Sequence, residues 1–396
     1  MHRIVRSCLA WTSALVCALA PLALSPLESA AATTGSVPAF DHIFTIVMEN
    51  HSYAEIIGNT AAAPYINQLA GQYGLAANYF AVTHPSLPNY LALTGGDTFG
   101  ITTDCTTCFV GAPNLVADRV APSGRTWKAY MESMPSTCFV GDAYPYMQKH
   151  DPFMYFNDIR TTVQCSHVVP FTGFAGDLAS ASTTPSYVWV TPNMCNDMHD
   201  CSISAGDTWL KNNLPTILNS PAYTTQNSLV LITWDEDDGT QNNQVATLVI
   251  AKGVPAGFKS GTPYTHYSLL KTIEQAWGLA PLTANDGNAT AMSDFFGPGV
   301  PASLPGAPSG VTATAGKRSA MVAWQPPASA GGCAITSYTV TASPGGVATT
   351  VGGTATSATL GHLTPGRTYT FTVAATNCVG TGPASPPSNP VTPTKH

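Results

Sequence analysis

The sequence predicts an α/β domain built on a mostly parallel central sheet flanked by helices, with a smaller all-β sandwich following it. Three observations carry that expectation. Apolar runs rich in β-branched residues end in acidic or amide side chains, helical spacings of apolar residues lie between them, and the C-terminal stretch breaks into short alternating runs split by Gly and Pro.

Ile43-Phe44-Thr45-Ile46-Val47-Met48 is continuously apolar, as a strand covered on both faces must be, and it runs straight into Glu49-Asn50. The same layout returns at Tyr187-Val188-Trp189-Val190, which leads through Thr191-Pro192-Asn193 to Asp197, His199 and Asp200. It returns again at Ser228-Leu229-Val230-Leu231-Ile232-Thr233-Trp234, ahead of Asp235-Glu236-Asp237-Asp238. A further strand is expected over residues 244–251. Ile66, Leu69 and Ala70 predict a helix over residues 64–73. Leu210, Leu214, Ile217 and Leu218 predict one over 207–218, and Leu269, Leu270, Ile273 and Trp277 one over 267–277. Residues 97–186 lack such regularity and are expected to form an insertion of loops and short elements. Open parallel sheets bind at the carboxyl ends of their strands, so Glu49-Asn50 and Asp235-Glu236 stand where a site is expected.

Charged residues make up 9% of the chain and its net charge is −7, so no basic stripe exists to neutralise phosphates, and nucleic acid is excluded as a partner. Residues 1–32 read as an export signal, with His2, Arg3 and Arg6 before an apolar stretch and Ala30-Ala31-Ala32 at the cleavage position. Nothing later is apolar for long enough to span a bilayer, so a secreted protein without a transmembrane segment is expected. Beyond the signal, local spacing pairs Cys105 with Cys108, Cys138 with Cys165, Cys195 with Cys201 and Cys333 with Cys378. A zinc site at Cys105-x-x-Cys108 is the alternative for that pair. A Pro- and Gly-rich linker over residues 297–308 divides an N-terminal domain, 38–296, from a C-terminal one, 309–393.

Thr83-His84-Pro85-Ser86-Leu87-Pro88-Asn89-Tyr90 brackets one serine with two prolines ahead of an apolar run. The residue before a proline is pushed toward extended backbone, which puts Ser86 at a stiff turn opening a helix. There it is either an N-cap or a nucleophile beside unpaired N–H groups that favour phosphate. Its hydroxyl needs a base or a cation to become reactive. Glu49, Asn50, Asp235 and Glu236, with Asp197 added, offer the oxygen ligands that hard divalent cations prefer. His199 and His266 could protonate a leaving group or complete a second metal site. Each residue alone also fits a cap, a solvated loop or a core contact. Together they favour metal-dependent phosphoryl transfer with Zn, Ca, Mg or Mn as the ion.

Ile46-Val47-Met48-Glu49-Asn50-His51-Ser52-Tyr53, His84-Pro85-Ser86-Leu87-Pro88-Asn89-Tyr90, Thr191-Pro192-Asn193, Ile232-Thr233-Trp234-Asp235-Glu236 and His266-Tyr267-Ser268-Leu269-Leu270 resemble the motifs of the phosphoesterase family that contains exported bacterial acid phosphatases and phospholipases C. That family belongs to the alkaline phosphatase superfamily. The resemblance implies an alkaline-phosphatase-like fold, metal ligation by Glu49, Asn50, Asp235 and Glu236, and a phosphoryl-enzyme intermediate on Ser86. It implies as substrate a small phosphate ester or a phospholipid. The chain departs from the family at His51, at Tyr53-Ala54 and at Asp237-Asp238, and the full two-zinc pattern of alkaline phosphatases is not evident, so metal number and identity stay open. Leu363-Thr364-Pro365-Gly366-Arg367-Thr368-Tyr369 and the alternating residues after it resemble a fibronectin type III domain, with Trp324 and Tyr369 in its core and Tyr369 as its tyrosine corner. Such a domain serves as a spacer or as a module for weak polysaccharide contact. Three other readings remain: a phospholipase C acting on phosphodiesters, a metal-free serine esterase using Ser86 and His266, and a polysaccharide-binding surface protein without catalysis.

Overall fold

The computed structural model describes residues 36–296, 304–327, 335–377 and 380–395. The expected signal, the first part of the linker and the Cys333–Cys378 pair lie outside the described residues. The N-terminal part carries strands β1 (His42–Met48), β2 (Gly74–Ala76), β3 (Tyr79–Phe80), β4 (Trp127–Met131), β5 (Val168–Pro170), β6 (Tyr187–Thr191), β7 (Ser228–Trp234), β8 (Thr247–Ala251), β9 (Lys259–Ser260) and β10 (Tyr264–Thr265). All but β3 and β10 join one sheet in the order β5-β4-β6-β1-β7-β8-β2-β9. The run from β5 to β7 is parallel throughout, β8 alone runs against its neighbours, and β2 and β9 are parallel. β1, β6, β7 and β8 are buried along their whole length, which is why their sequences are apolar without alternation.

Helices cover this sheet as the spacings require. Pro64–Gln72 packs against Ile203–Leu218, and Ser86–Gly95 against His266–Trp277. The helix Ile203–Leu218 begins four residues earlier than its apolar spacing announces. Gly206 permits that extension, because a Cβ there would stand 2.4 Å from Met198 Cγ. The insertion holds more order than expected: β4 and β5 extend the sheet to its edge. Lys128 interrupts the apolar run of β4, and its ammonium is satisfied by Asp177 Oδ2 at 2.7 Å.

The disulfides Cys105–Cys108, Cys138–Cys165 and Cys195–Cys201 form as local spacing predicts. They brace the insertion and the loop after β6. The C-terminal part forms two antiparallel sheets: β11 (Ser309–Gly316), β12 (Ser319–Gln325) and β15 (Ser357–Leu360), and β14 (Ala348–Gly352), β13 (Ser337–Ser343), β16 (Thr370–Thr376) and β17 (Thr381–Ala384). Trp324 and Tyr369 are buried between them, and the Thr364 N–H donates to Tyr369 Oη at 3.1 Å, closing the tyrosine corner. Among the described residues no helix is long and apolar enough to cross a membrane.

Candidate active site

β1 and β7 are parallel neighbours with Met48 opposite Trp234, so the residues that follow each strand emerge side by side. The Asp235 N–H donates to the Met48 carbonyl at 3.0 Å, and the Asn50 N–H to Asp235 Oδ1 at 3.2 Å. The Glu49 N–H donates to the Asp197 carbonyl at 2.9 Å, which ties in the loop after β6. Backbone pairing alone therefore gathers Glu49, Asn50, Asp197 and Asp235 at one edge.

Ser86 is the first residue of its helix, with Pro85 before it in extended geometry. Its buried hydroxyl lies 3.3 Å from Glu49 Oε2 and 3.2 Å from Glu236 Oε1, and its single proton can serve one of them at a time. Tyr90, one turn along the same helix, donates its hydroxyl to Glu49 Oε1. Asn89 secures the entering turn by accepting the Val82 and Thr83 N–H groups and donating to the Thr83 carbonyl. The helix thus fixes both the nucleophile candidate and the carboxylate facing it.

The two predicted histidines both lie at this edge, His266 against the Asp235 backbone and His199 beside Asp197. His266 is fully buried, with Nε2 donating to the Asp235 carbonyl at 2.6 Å and Nδ1 accepting from Tyr79 Oη at 3.1 Å. Both ring nitrogens are engaged, and burial lowers its pKa to about 4, so the ring stays neutral. His199 sits at the rim with Nδ1 2.8 Å from Asp200 Oδ1 and Nε2 3.2 Å from Lys149 Nζ. The imidazole beside Asp197 is instead His150, from the insertion. It stands 3.3 Å from Glu49 Oε2 and 3.4 Å from Asp197 Oδ2 and stacks on Tyr90. No local spacing marked His150, since its partners are far away in sequence. His84 did carry a signal, being part of the proline-bracketed motif: its Nδ1 pairs with Glu236 Oε2 at 2.7 Å and its Nε2 with Asp237 Oδ1 at 3.2 Å.

Buried carboxylates this close oppose one another's ionisation. Burial, then the charges of Asp235 and Asp197, hold Glu49 well above the usual carboxylate range, and burial raises Asp197 likewise. Burial pushes Asp235 up to about 6, and burial together with the Asp235 charge pushes Glu236 up to about 9. Such a cluster holds together only with protons or a cation inside it. The donor set fits a cation. Asp235 Oδ2, Asp197 Oδ2 and His150 Nε2 are buried without hydrogen-bond partners, His150 being near Glu49 but not in bonding geometry. Glu49, His150 and Asp197 each offer a ligand atom within 4.8 Å of the others. The Asn50 carboxamide lies 3.1 Å from Glu49 Oε2 and from Asp235 Oδ1. Turned one way its nitrogen bridges them, and turned the other its oxygen completes a cage of acceptors.

An open cavity of about 380 Å³ lies beside His84, lined by Phe80, Val82, Asp237, Asn242 and Asn243.

Residues 59–280 match the phosphoesterase family and residues 306–391 the fibronectin type III domain. The chain is 40% identical over 264 residues to the phosphatidylinositol-3-phosphatase of Mycobacterium tuberculosis, covering 66% of this chain and 85% of that protein. It is 33% identical over 291 residues to an acid phosphatase of Aspergillus fumigatus, covering 68% of this chain and 64% of the relative. It is 34% identical over 265 residues to a phosphate-repressible acid phosphatase of Penicillium chrysogenum, covering 64% and 63%.

Proposed function

From the premise that this chain belongs to the phosphoesterase family, and is thus a hydrolase of phosphoric esters, we propose that it cleaves phosphate monoesters through Ser86 beside a divalent cation held by Glu49, Asn50, Asp235 and Glu236. The observation that carries this reading is the Ser86 hydroxyl between Glu49 and Glu236, at a helix N-terminus and among buried oxygens that lack donors. The phosphatase names of the three relatives support monoesters as the substrate class.

When bound, the cation supplies charge that stabilises the Ser86 alkoxide and polarises a phosphoryl oxygen. The chain's own residues do the rest. Ser86 Oγ bonds to phosphorus as the ester P–O bond breaks, and its proton passes to Glu236 Oε1. Glu236 Oε2 faces His84, whose half-exposed ring stands at the mouth of the cavity and can hand a proton to the departing alkoxide. Water then attacks phosphorus, the bond to Ser86 breaks, and inorganic phosphate leaves with the hydroxyl restored. His266 holds the Asp235 backbone and is a positioning residue in this scheme. That engagement also removes the base that a metal-free Ser86–His266 esterase would need. His150 and Asp197 buttress Glu49 and are available to a second ion.

Export through residues 1–32 belongs to the same proposal, and the three disulfides support it. Ser86→Ala should remove hydrolysis of a chromogenic phosphate monoester while leaving metal content unchanged. Chelation should abolish hydrolysis by stripping the ion, and restoring the ion should bring it back. Full activity in either case refutes the reading.

A further inference from the structure

We propose that Lys149 and the Leu87 backbone N–H form the clamp that receives the substrate's phosphoryl oxygens, and that Asp104 occupies this clamp as a stand-in carboxylate until substrate displaces it. The proposal rests on the phosphoesterase reading above and adds to it the group that binds the phosphate.

Asp104 Oδ1 accepts the Leu87 N–H at 3.0 Å, and Asp104 Oδ2 accepts from Lys149 Nζ at 3.1 Å. Leu87 directly follows Ser86 in a ten-residue helix, so a phosphoryl group bonded to Ser86 Oγ lies beside that N–H. One carboxylate spanning an N–H and an ammonium presents two oxygens as a phosphoryl group would. An ammonium here adds to the positive charge of the divalent ion proposed above. Glu49, Asp197, Asp235, Glu236 and Asp237 are all buried at this edge and would repel an arriving phosphate dianion.

Lys149 is also positioned for the exchange. His199 Nε2, at 3.2 Å, accepts a second ammonium N–H, and this fixes the ring with Nδ1–H toward Asp200 Oδ1. Asp104 is the more accessible partner, its side chain 27% exposed against 15% for Lys149. It can turn into water while Lys149 stays in place, gripping phosphate instead.

The test uses the full chain with its metal restored, and inorganic phosphate as the probe. Lys149→Met should weaken phosphate inhibition and raise KM for a chromogenic monoester by about 10- to 100-fold, the range of a lost charge-assisted hydrogen bond, with Lys149→Arg recovering part of it. Asp104→Asn should act oppositely and tighten phosphate binding, by about 3- to 10-fold in calorimetry, because a neutral amide holds the clamp less firmly. Phosphate binding unchanged in Lys149→Met overturns the clamp, and phosphate binding weakened in Asp104→Asn overturns the stand-in. A wild-type chain that cleaves the ester while Lys149→Met matches it leaves the phosphoesterase reading standing and removes this one. A wild-type chain that neither cleaves the ester nor binds phosphate removes both.

Discussion

Glu236 and Asp235 show at single-residue scale how the site trades stability for chemistry. Their pKa values in the metal-free fold, about 9 and about 6, lie above the ordinary 4.5 and 3.8, so the folded state binds more protons than the unfolded chain does. The sign follows directly. Their stabilising contribution is complete below the ordinary carboxylate range and is lost as pH rises through 6 toward 9. The metal-free protein should therefore melt at progressively lower temperature from pH 5 to pH 9, while the metal-loaded protein, whose ion replaces those protons, should show a flatter curve. Parallel melting curves with and without chelator would show that no ion shares this cluster. Glu49→Gln probes the same trade from the other side. It keeps an acceptor for Tyr90 but removes a carboxyl whose ionisation burial and its neighbours oppose, so the metal-free variant should lose less melting temperature than the metal-free wild type as pH rises. Its hydrolysis should fall by about a hundredfold or more, a loss on the scale of one electrostatic stabiliser.

Elements deliver these residues, and the helix His266–Trp277 is the informative case. Its first residue reaches across to the Asp235 carbonyl, so the strand end carrying the ligands is held by a hydrogen bond from a neighbouring element. His266→Ala would remove the side-chain donor to that buried carbonyl and one partner of the Tyr79 hydroxyl, at about 1–3 kcal/mol in stability. Activity should drop and return in part with excess metal. A group that only shuttled protons would instead leave the melting temperature unchanged and bend the pH profile. The strands bearing Glu49 and Asp235 were legible because a fully buried parallel strand needs an unbroken apolar run, and such runs are conspicuous in any chain. β4 and β5 were not, since Lys128 breaks one and the other spans three residues. The same contrast divides the site. Ser86, Glu49 and Asp235 follow directly from local patterns, whereas His150, Lys149 and Asp104 acquire their meaning only through contacts across the fold. His266 was marked by its motif, but its bonds to the Asp235 carbonyl and the Tyr79 hydroxyl were not, because a sequence shows a histidine but not what occupies its two nitrogens.

At the scale of the whole molecule, every group assigned to the chemistry lies between residues 49 and 266. The apolar core around it runs from Phe40 to Phe296. A second core, from Ala313 to Ala375, is built on Trp324, Tyr338, Phe371 and Val373 and shares no residue with the first. The three observed disulfides all fall in the first part, where they brace the insertion and the loop after β6. Two cores without common residues are expected to unfold as two units, since each buries its own apolar surface. A chain ending at residue 296 should therefore keep kcat and KM for a small phosphate ester within about twofold of the full chain, and residues 304–396 should melt cooperatively by themselves. Differential scanning calorimetry of the full chain, compared with the two pieces, checks the second half of this, and steady-state kinetics of the shorter chain the first. A tenfold loss of kcat in a truncated protein with an unchanged melting transition would mean that the sandwich shapes the site rather than accompanying it. An unchanged kcat for a small ester with a raised KM for a larger one would place its contribution in substrate capture, outside the metal and Ser86.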